Sequence, residues 1–311
     1  MRDNQALSSS MEKPLVSFII AYYDLPVRML CECIDSILSL SLHPAEREII
    51  VVDDGSKDSP VKQLMHYGDD IIYVRQQNKG LSGARNTGIQ MATGQYLQFI
   101  DADDLLLQTP YNYCLQQLRA THPDMLVFDF SRTGKNPCNP CNPLFKKHSG
   151  ADYMRHYNIR GSACCYLFHR SILGDLRFTT GIFHEDEEFT PQLFLRAETL
   201  IVTNAQAYLY RQREDSITTV TSKRHLVQRL EDTRGIILRL STLADRLPSN
   251  DRAALQRRVA QLTMDYLYNI IRQTRSRHYL LRKISLLRRD GLYPLPNKCY
   301  TLKYTLFRLI I

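Results

Sequence analysis

Three carboxylates that follow an apolar run are the residues of this chain best suited to chemistry. Residues 96–100 are mostly apolar, and Asp101, Asp103 and Asp104 come directly after them. The run predicts a buried strand, and in open α/β sheets ligands bind beyond the carboxyl ends of the strands. Neighbouring carboxylates repel one another, and oxygen ligands of this kind suit Mg²⁺ or Mn²⁺. The alternative is an acidic turn in which one Asp caps the next helix.

A second pair of acids closes an earlier apolar run. Residues 48–52 predict another buried strand, and Asp53 and Asp54 follow it. These carboxylates have the chemistry needed to hydrogen-bond a base or a ribose. The alternative is a turn whose Asp side chains cap the following helix.

Alternating strands and helices must position these two acid clusters. Apolar runs at 15–22, 48–52 and 71–74 predict strands, and apolar residues at helical spacing lie between them. This β-α-β-α-β order indicates a doubly wound sheet. No GxGxxG motif follows the first strand and no GxxxxGK[ST] motif occurs in the sequence, which excludes a typical nicotinamide site and a P-loop.

The segment that precedes the acidic run at 101–104 combines glycine with positive charge. Gly80 and Gly83 permit tight backbone turns at the start of a helix. Helix N-termini attract phosphate, and Lys79 and Arg85 add positive charge there. The segment therefore predicts a phosphate-binding helix that continues to Met91.

Four short motifs fill the first 105 residues. They are SFIIAYYD at 17–24, VDDGS at 52–56, NKGLSGARNTG at 78–88 and FIDADD at 99–104. Their order and spacing resemble the nucleotide-sugar half of a family 2 glycosyltransferase with the GT-A fold. Asp24 stands where that family usually has Asn, and Ala21 where Pro or Thr is frequent, and we expect both departures to have modest effects.

The resemblance implies a donor site for a nucleoside-diphosphate sugar, usually one of UDP. In such a site Tyr23 would stack on the base, and Asp54, with Asp53 beside it, would read the base edge. Arg85 would lie near the diphosphate or support its loop.

The resemblance also implies a divalent metal, Mn²⁺ or Mg²⁺. Asp101 and Asp103 match the family's DxD motif, in which Asp103 would ligate the metal. Asp101 would reach the ribose or a metal-bound water, and Asp104 is an alternative ligand.

Four consecutive acids at 185–188 follow His184. One interpretation is the first turn of a helix, where the helix dipole favours negative charge. In the resembling family, an acidic pair at such a helix start supplies the catalytic base, and we assign that role to Asp186. Glu185 is the second choice, and Glu185 and His184 would orient the acceptor or hold a neighbouring loop.

Two arginines follow the next expected strand. The resembling family often has a Tyr-Arg pair followed by Ser-Ile here, which places a basic residue near the diphosphate. Arg211 or Arg213 would serve in that position, or would form surface salt bridges instead.

The middle of the chain carries weaker signals. Thr109 and Pro110 predict a helix start, with the threonine as its cap and the proline in its first position. We expect strands at 125–130 and 161–169. The segment 131–150 contains three prolines and is longer than a simple connection, so it is either an acceptor-site element or a disordered insertion.

The C-terminal part changes to a helical and basic pattern. Apolar residues recur at helical spacing from 255 to 270, which indicates packing. Residues 272–311 contain ten Lys or Arg and one acid, in a chain whose formal net charge is +8. This basic and apolar segment fits either an interfacial membrane element or a helical subdomain with a solvated basic face.

Composition bounds the protein class. The 44% hydrophobic content supports a real core, no apolar leader begins the sequence, and no run of 18 apolar residues occurs. With eight scattered cysteines, this predicts a protein of the reducing cytoplasm, placed at the inner face of the membrane if the basic segment binds lipid. Cys138 and Cys141 have the spacing of half a zinc site, but without a nearby partner pair a proline-rich loop is favoured.

The expected fold is α/β, a GT-A (Rossmann-like) mixed sheet flanked by helices, with a helical C-terminal extension. We expect a disordered lead-in at 1–12, a glycosyltransferase domain at 13–220 and a basic helical region at 221–311. The domain would divide into a nucleotide-sugar half at 13–105 and an acceptor half at 106–220.

The expected function is inverting transfer of a hexosyl or N-acetylhexosaminyl group from a UDP-sugar to a carbohydrate or lipid-linked glycan, in cell-surface polysaccharide synthesis. A sugar-phosphate nucleotidyltransferase is one alternative, but it generally needs a Gly-rich loop after the first strand. A nucleic-acid-binding protein that uses the basic segment is another, but it leaves both acid clusters unexplained. We therefore expect no nucleic-acid partner.

Overall fold

The computed structural model describes residues 13–134, 146–212 and 222–311. The expected lead-in at 1–12, the cysteine pair at 138 and 141, and Arg213 lie outside the described residues.

In the described ranges, nine strands form one mixed sheet, in the order β3-β2-β1-β4-β8-β6-β9-β5, with β7 paired to β9. Strands β1 to β4 run parallel, β8 runs antiparallel to β4 and β6, and β6 and β9 run parallel. The strands are β1 (Val16–Tyr22), β2 (Arg47–Asp53), β3 (Ile72–Arg75), β4 (Tyr96–Asp101), β5 (Leu105–Leu106), β6 (Met125–Ser131), β7 (Lys146–His148), β8 (Tyr166–His169) and β9 (Leu200–Leu209). The expectation of a mixed sheet flanked by helices is confirmed.

Helices cover both faces of the sheet and continue into a C-terminal helical region. They are α1 (Val27–Leu38), α2 (Val61–Leu64), α3 (Gly80–Met91), α4 (Gln108–Thr121), α5 (Gly150–His156), α6 (Glu185–Leu195), α7 (Lys223–Ala244), α8 (Ser249–Thr274), α9 (Arg277–Arg289) and α10 (Leu302–Ile310). Within the described ranges, no helix has the length and apolar content needed to cross a membrane.

The central strands are buried on both faces, as their continuous apolar runs predict. Ile19 of β1 faces one core, while Phe18 and Ile20 face the other. Helix α3 approaches β1 so closely that a Cβ atom at Gly88 would collide with Ile19. This contact fixes the helix that precedes β4 against the middle of the sheet.

Strand register brings the two acid clusters to one edge. Tyr22, the last residue of β1, pairs with Asp53 on one side, and Ala21 pairs with Asp101 on the other. Because these strands are parallel, their carboxyl ends meet at the same edge of the sheet. The two motifs, nearly fifty positions apart, therefore flank the end of one strand.

The C-terminal helices pack on the rest of the chain through α8. The predicted apolar stripe of α8 is buried, and Arg258 on the same helix donates to the carbonyl of Ile159 at 3.0 Å. The buried stripe residues are Leu255, Val259, Leu262, Tyr266 and Ile270. The packing role predicted for this stripe is confirmed.

Two predicted boundaries are wrong. Helix α4 begins at Gln108, with Leu107 as its N-cap, so Thr109 lies inside the helix and caps nothing. The Leu107 amide donates to the Ala207 carbonyl at 2.9 Å, and this contact with β9 sets where the helix starts. Strand β8 begins at Tyr166, not at residue 161.

Tertiary contacts explain the shortened strand β8. The Gln98 side chain donates to the Cys164 carbonyl at 2.6 Å. If the strand included Cys164, this carbonyl would instead accept from the backbone of a neighbouring strand. A Cβ atom at Gly161 would collide with the Glu187 carboxylate, which fixes the local path of the chain.

Candidate active site

The carboxylates that follow β4 have different environments. Asp101 and Asp103 are half-buried, whereas Asp104 is buried. The Oδ1 atom of Asp101 accepts from Arg85 Nη2 at 2.9 Å. The Asp103 backbone carbonyl accepts from the Arg211 side chain, which fixes the turn that presents the Asp103 carboxylate.

Asp104 is held inside the protein. Its Oδ2 accepts from the Tyr208 hydroxyl at 2.8 Å, and its Oδ1 accepts from the Arg211 amide at 2.8 Å. Burial, together with the nearby Asp101 charge, raises the pKa of Asp104 to about 8. Both oxygens accept hydrogen bonds from the end of β9, which gives Asp104 an anchoring role, and its assignment as an alternative metal ligand stays a prediction.

Asp53 is also an anchoring residue. It is fully buried, and its Oδ1 accepts from the Ser56 amide at 2.9 Å. Its Oδ2 accepts from the Tyr73 hydroxyl at 2.7 Å and faces Arg75 at 3.5 Å. Both oxygens accept hydrogen bonds inside the turn, and contact of Asp53 with a base edge stays a prediction.

Asp54 links β2 to α3. Its Oδ1 accepts from Gln76 Nε2 at 2.6 Å and from the Lys79 amide at 2.9 Å. These bonds join the carboxyl end of β2 to the N-terminus of the predicted phosphate-binding helix. Any ligand that contacts Asp54 therefore lies beside that helix start.

Tyr23 has the exposure that a stacking platform needs. Its side chain is 47% exposed at the end of β1, while Tyr22 beside it is buried and donates to the Leu25 carbonyl at 2.6 Å. Asp24 adopts a left-handed conformation with φ of 45°, which Asn and Asp tolerate better than other non-glycine residues. The departure from Asn at this position is thus compatible with the local backbone.

The N-terminus of α3 is exposed next to these residues. Lys79 is the N-cap of α3, and Gly80 after it has φ of 75°, a region that favours glycine. Gly83 lies under the Lys79 side chain, where a Cβ atom would collide with it. An exposed helix start with a neighbouring lysine has the chemistry to bind phosphate.

Arg85 connects the acids after β4 to the acids of α6. It is buried, and its Nη2 and Nη1 atoms donate to Asp101 at 2.9 Å and to Glu185 Oε1 at 2.7 Å. Its guanidinium also lies over the ring of Phe178, 5.2 Å from the ring centre. The prediction that Arg85 supports the site agrees with these contacts, but its link to Glu185 was not foreseen.

Arginines from distant elements pair with three of the four acids that begin α6. Glu185 pairs with Arg85, and Glu187 pairs with Arg258 of α8. Glu188 accepts from Arg239 of α7. Asp186, by contrast, has no ion pair within the described part of the chain, and its Oδ1 accepts only from the Glu187 amide, at 2.9 Å.

The environment of Asp186 disfavours the charged form of its carboxyl group. Burial, followed by the charges of Glu185 and Glu187, raises the pKa of Asp186 to about 7, although Arg85 opposes the shift. A base whose pKa is near the working pH transfers protons most effectively. Glu185, the second choice for this role, is already paired with Arg85.

His184 occupies the N-cap of α6. It is exposed, has φ of 63°, and its carbonyl accepts from the Glu187 amide at 3.0 Å. Its side chain makes no capping hydrogen bond. The imidazole therefore belongs to an exposed residue two positions before Asp186.

Arg211 forms a salt bridge, which is one of the two roles expected for it. Its guanidinium pairs with Glu32 of α1, donates to the Met29 carbonyl at 3.2 Å and donates to the Asp103 carbonyl. These contacts fix the turn after β4 to α1. Contact of Arg211 with the diphosphate stays a prediction.

The carboxylates of Asp101 and Asp103 suit a hard divalent cation. No cluster of three His, Cys, Asp or Glu side chains arranged for a metal is found among residues 13–134, 146–212 and 222–311. Magnesium, however, usually needs only one or two protein carboxylates, and takes its other ligands from water and substrate phosphates. Asp103 and Asp101, half-buried at the sheet edge, fit that donor set.

Comparison with curated proteins identifies relatives among bacterial glycosyltransferases. The chain is 29% identical to the uncharacterized glycosyltransferase EpsJ of Bacillus subtilis over 233 residues, which span 70% of this chain and 67% of EpsJ. It is 27% identical to the glycosyltransferase GlyA of Streptococcus pneumoniae over 227 residues, which span 67% of this chain and 32% of GlyA. The match thus covers about a third of the second relative.

Two solved structures have a similar fold. S. aureus TarS 1-349 in complex with UDP-GlcNAc aligns with a TM-score of 0.70 and 17% identity, over 90% of this chain and 81% of that one. The mannosyltransferase PcManGT of Pyrobaculum calidifontis, in complex with GDP-Man and Mn²⁺, aligns with a TM-score of 0.52 and 15% identity, over 96% of this chain and 86% of that one.

A family profile covers the sheet edge and the helix that carry the donor motifs. The profile described as Glycosyl transferase family 2 matches residues 17–176, just over half of the 311 residues. The matched region includes both acid clusters at the sheet edge, Arg85 and the start of α3. The chain therefore belongs to glycosyl transferase family 2 and is a glycosyltransferase.

Proposed function

We propose that this glycosyltransferase moves a sugar from a UDP-sugar to an acceptor hydroxyl with inversion, and that Asp186 is the catalytic base. One observation carries the proposal: of the four acids that begin α6, only Asp186 lacks an arginine partner within the described residues. Arg85 ties the same turn to Asp101 at the sheet edge. The base and the donor side are thus parts of one connected site.

The donor would lie along the edge formed by β1, β2 and β4. Tyr23 is exposed for stacking on the base, and Asp54 lies beside it at the start of α3. Asp103 and Asp101 would hold a divalent cation, Mn²⁺ or Mg²⁺. When bound, such a cation offsets the negative charge that develops on a leaving diphosphate.

Lys79 and the amides that begin α3 would contact the diphosphate. The lysine is exposed at the helix N-cap, and the helix dipole favours an anion there. Arg211 acts indirectly, since its contacts with Glu32 and the Asp103 carbonyl fix the turn that presents Asp103.

The chemical step is a direct displacement. Asp186 removes the proton from the acceptor hydroxyl, and the oxygen forms a bond to the anomeric carbon as the bond to the diphosphate breaks. Attack from the face opposite the diphosphate inverts the anomeric configuration. A positioned base of this kind contributes about 10²- to 10⁴-fold to the rate.

The solved relatives support UDP as the first donor to test and GDP as the second. TarS is in complex with UDP-GlcNAc, and PcManGT with GDP-Man and Mn²⁺. Both are fold-level likenesses, so the sugar, whether hexosyl or N-acetylhexosaminyl, is a separate question for the experiment.

A carbohydrate or lipid-linked glycan of the cell surface is the proposed acceptor class. Among the relatives, GgaB of B. subtilis is named a minor teichoic acid biosynthesis protein, which points to cell-surface polymers. The enzyme would act in the cytoplasm at the inner face of the membrane. The proposed halves, 13–105 for the donor and 106–220 for the acceptor, place Asp186 in the acceptor half.

Calorimetric titration of UDP tests the donor site directly. We expect wild-type protein to bind UDP more tightly with Mn²⁺ than without it, and the Asp103→Ala variant to lose the manganese-dependent part. Asp69→Ala, an exposed acid of the same half, is the matched control and should bind like wild type. If Mn²⁺ does not affect UDP or GDP binding to wild-type protein, the proposed donor site is wrong.

A further inference from the structure

Helix α10 is apolar on its outer side as well as on its packed side. Tyr304 of α10 is fully buried beside Ala260 and Met264 of α8, and Phe307 and Ile311 pack against the same cluster. The outward residues are Leu302 at 77% exposed, Leu306 at 51%, Leu309 at 71% and Ile310 at 84%. We call these four residues the α10 face.

Helical geometry puts the α10 face directly opposite the packed side. At about 100° per residue, Leu302, Leu306 and Leu309 fall within one sector, and Ile310 borders it. A surface helix normally exposes polar residues there. Clustered exposed leucines in a protein of ordinary composition indicate a surface that another body covers.

The apolar surface extends onto α8. Tyr268 and Ile271 of that helix are both exposed. The Tyr268 ring lies against the ring of Phe307, with 6.3 Å between ring centres, so it borders α10. The exposed aromatic ring beside the leucines is typical of a side chain placed at a membrane–water boundary.

Cationic side chains lie at both ends of the α10 face. Near its start, Lys303 lies over the Tyr268 ring and 3.1 Å from Asp265. Near its end, Arg288 lies over the ring of Tyr293, whose hydroxyl donates to the Ile311 carbonyl at 2.7 Å. Both belong to the segment 272–311, which contains ten Lys or Arg and one acid, Asp290. Two of these cations pair with acids outside the segment, Lys283 with Glu231 and Lys303 with Asp265.

We propose that the α10 face docks on the surface of a bilayer that contains anionic lipids. Leu302, Leu306, Leu309 and Ile310 would enter the boundary between headgroups and acyl chains, while the surrounding cations contact lipid phosphate. Charge complementarity favours this occupant over a neutral apolar one. Exposed leucines between Lys303 and Arg288 also favour lipid over nucleic acid, whose phosphates would contact cations alone.

The transfer reaction does not itself require a bilayer as a partner. Only the expected benefit of docking, which is to bring the enzyme to a lipid-linked acceptor, rests on the proposed function. The described helices are too short or too polar to span a bilayer, so the contact lies in the plane of the membrane surface.

Vesicle flotation of the full chain tests the proposal. We expect binding to vesicles that mix phosphatidylcholine with phosphatidylglycerol, weaker binding to pure phosphatidylcholine, and partial release by salt. The double variant Leu302→Glu, Leu306→Glu should reduce binding by about tenfold or more, since it replaces apolar anchors with charges that anionic lipid repels. Met65→Glu is the matched control, because Met65 is 74% exposed in the nucleotide-sugar half.

Three results would overturn the proposal. In the first, wild-type protein does not bind anionic vesicles at low salt. In the second, the α10 double variant binds them as tightly as wild type. In the third, light scattering shows a wild-type dimer that the double variant does not form. The last result would assign the α10 face to a second copy of the chain. UDP titration of the same samples keeps the tests separate, because neither α10 variant residue belongs to the proposed donor site.

Discussion

The acids at the sheet edge and the acids that begin α6 are neutralised in different ways. At the sheet edge, Asp53 and Asp104 accept hydrogen bonds from amides and tyrosine hydroxyls. At α6, Glu185, Glu187 and Glu188 pair with arginines from α3, α8 and α7. Both arrangements join distant elements, since Asp104 is bonded to the end of β9. The difference is that the group at α6 leaves one carboxylate, Asp186, without a cationic partner in the described residues.

This difference separates two kinds of functional acid. A buried carboxylate that accepts several hydrogen bonds is a structural part of its turn. A carboxylate surrounded by acids that are themselves paired has a raised pKa and keeps its proton-accepting capacity for a substrate. The contacts of Asp53 and Asp104 anchor their turns, and proton transfer is the role proposed for Asp186.

The largest effect should follow Asp186→Asn. We expect turnover to fall by about 10²- to 10⁴-fold, because the amide cannot accept the hydroxyl proton. Donor binding, measured by UDP calorimetry, should stay close to wild type. Asp175→Asn, at an exposed acid paired with Arg196, is the control. Near-normal turnover in the Asp186 variant would remove the distinction between Asp186 and its paired neighbours.

The pH profile sharpens the same assignment. Because the pKa of Asp186 is about 7 and the base must be ionised, kcat/KM should rise with pH and level off above about 7. Below that value it should fall about tenfold per pH unit. A carboxyl whose pKa is raised by folding also makes the folded state lose stability as pH rises from about 4 to about 7, in the interval between the unfolded and folded pKa values. A flat activity profile between pH 5 and 8 would contradict the assignment.

Breaking the link between the two regions should affect folding as well as activity. Arg85→Met leaves Asp101 and Glu185 without their shared cation, and removal of one partner from a buried ion pair costs about 3–5 kcal/mol. Urea unfolding would measure this loss. Arg239→Met, which removes the more exposed partner of Glu188, should cost about 1 kcal/mol. Equal losses would mean that Arg85 is no more than another surface contact.

Asp103 and Asp104 should give opposite results although they are neighbours. Asp104→Asn should lower the free energy of unfolding by about 1–2 kcal/mol, because the amide matches its two donors poorly, and should leave manganese-dependent UDP binding intact. Asp103→Asn should weaken UDP binding with little effect on stability. The reverse pattern would restore Asp104 as the ligand.

The smallest effect is expected at the start of α3. Lys79→Ala removes one exposed cation beside the helix N-terminus, which should weaken UDP binding by about two- to fivefold. The loss should shrink as salt concentration rises, because exposed charges are screened. Lys62→Ala, an exposed lysine on the short helix α2, is the control.

The sequence allowed the strands that form the acid-bearing sheet edge to be predicted well, because their signals are local. Continuous apolar runs predicted β1, β2 and β4 within one or two residues, and the acids at their ends marked the edge. The roles of individual acids were harder to predict. Nothing in the residue order distinguishes Asp53 from Asp54, since the difference lies in the Tyr73 hydroxyl and the Ser56 amide that surround Asp53.

The features that could not be predicted from the sequence depend on contacts between residues far apart in the chain. Arg85 and Glu185 are 100 positions apart, and Arg258 lies 71 positions from Glu187. Neither pair has a periodic or motif signal. The start of α4 was misplaced for a similar reason, because the contact that fixes Leu107 comes from Ala207 on β9.

The shared cation Arg85 also constrains how this enzyme can change over generations. One guanidinium serves Asp101 and Glu185 at once, so loss of Arg85 leaves two carboxylates without their cation, whereas loss of either acid removes one of the two ion pairs. Neutral drift at one of them would require matched replacements at the others. Across descendants of this chain, we therefore expect positions 85, 101 and 185 to be inherited together, or to change together.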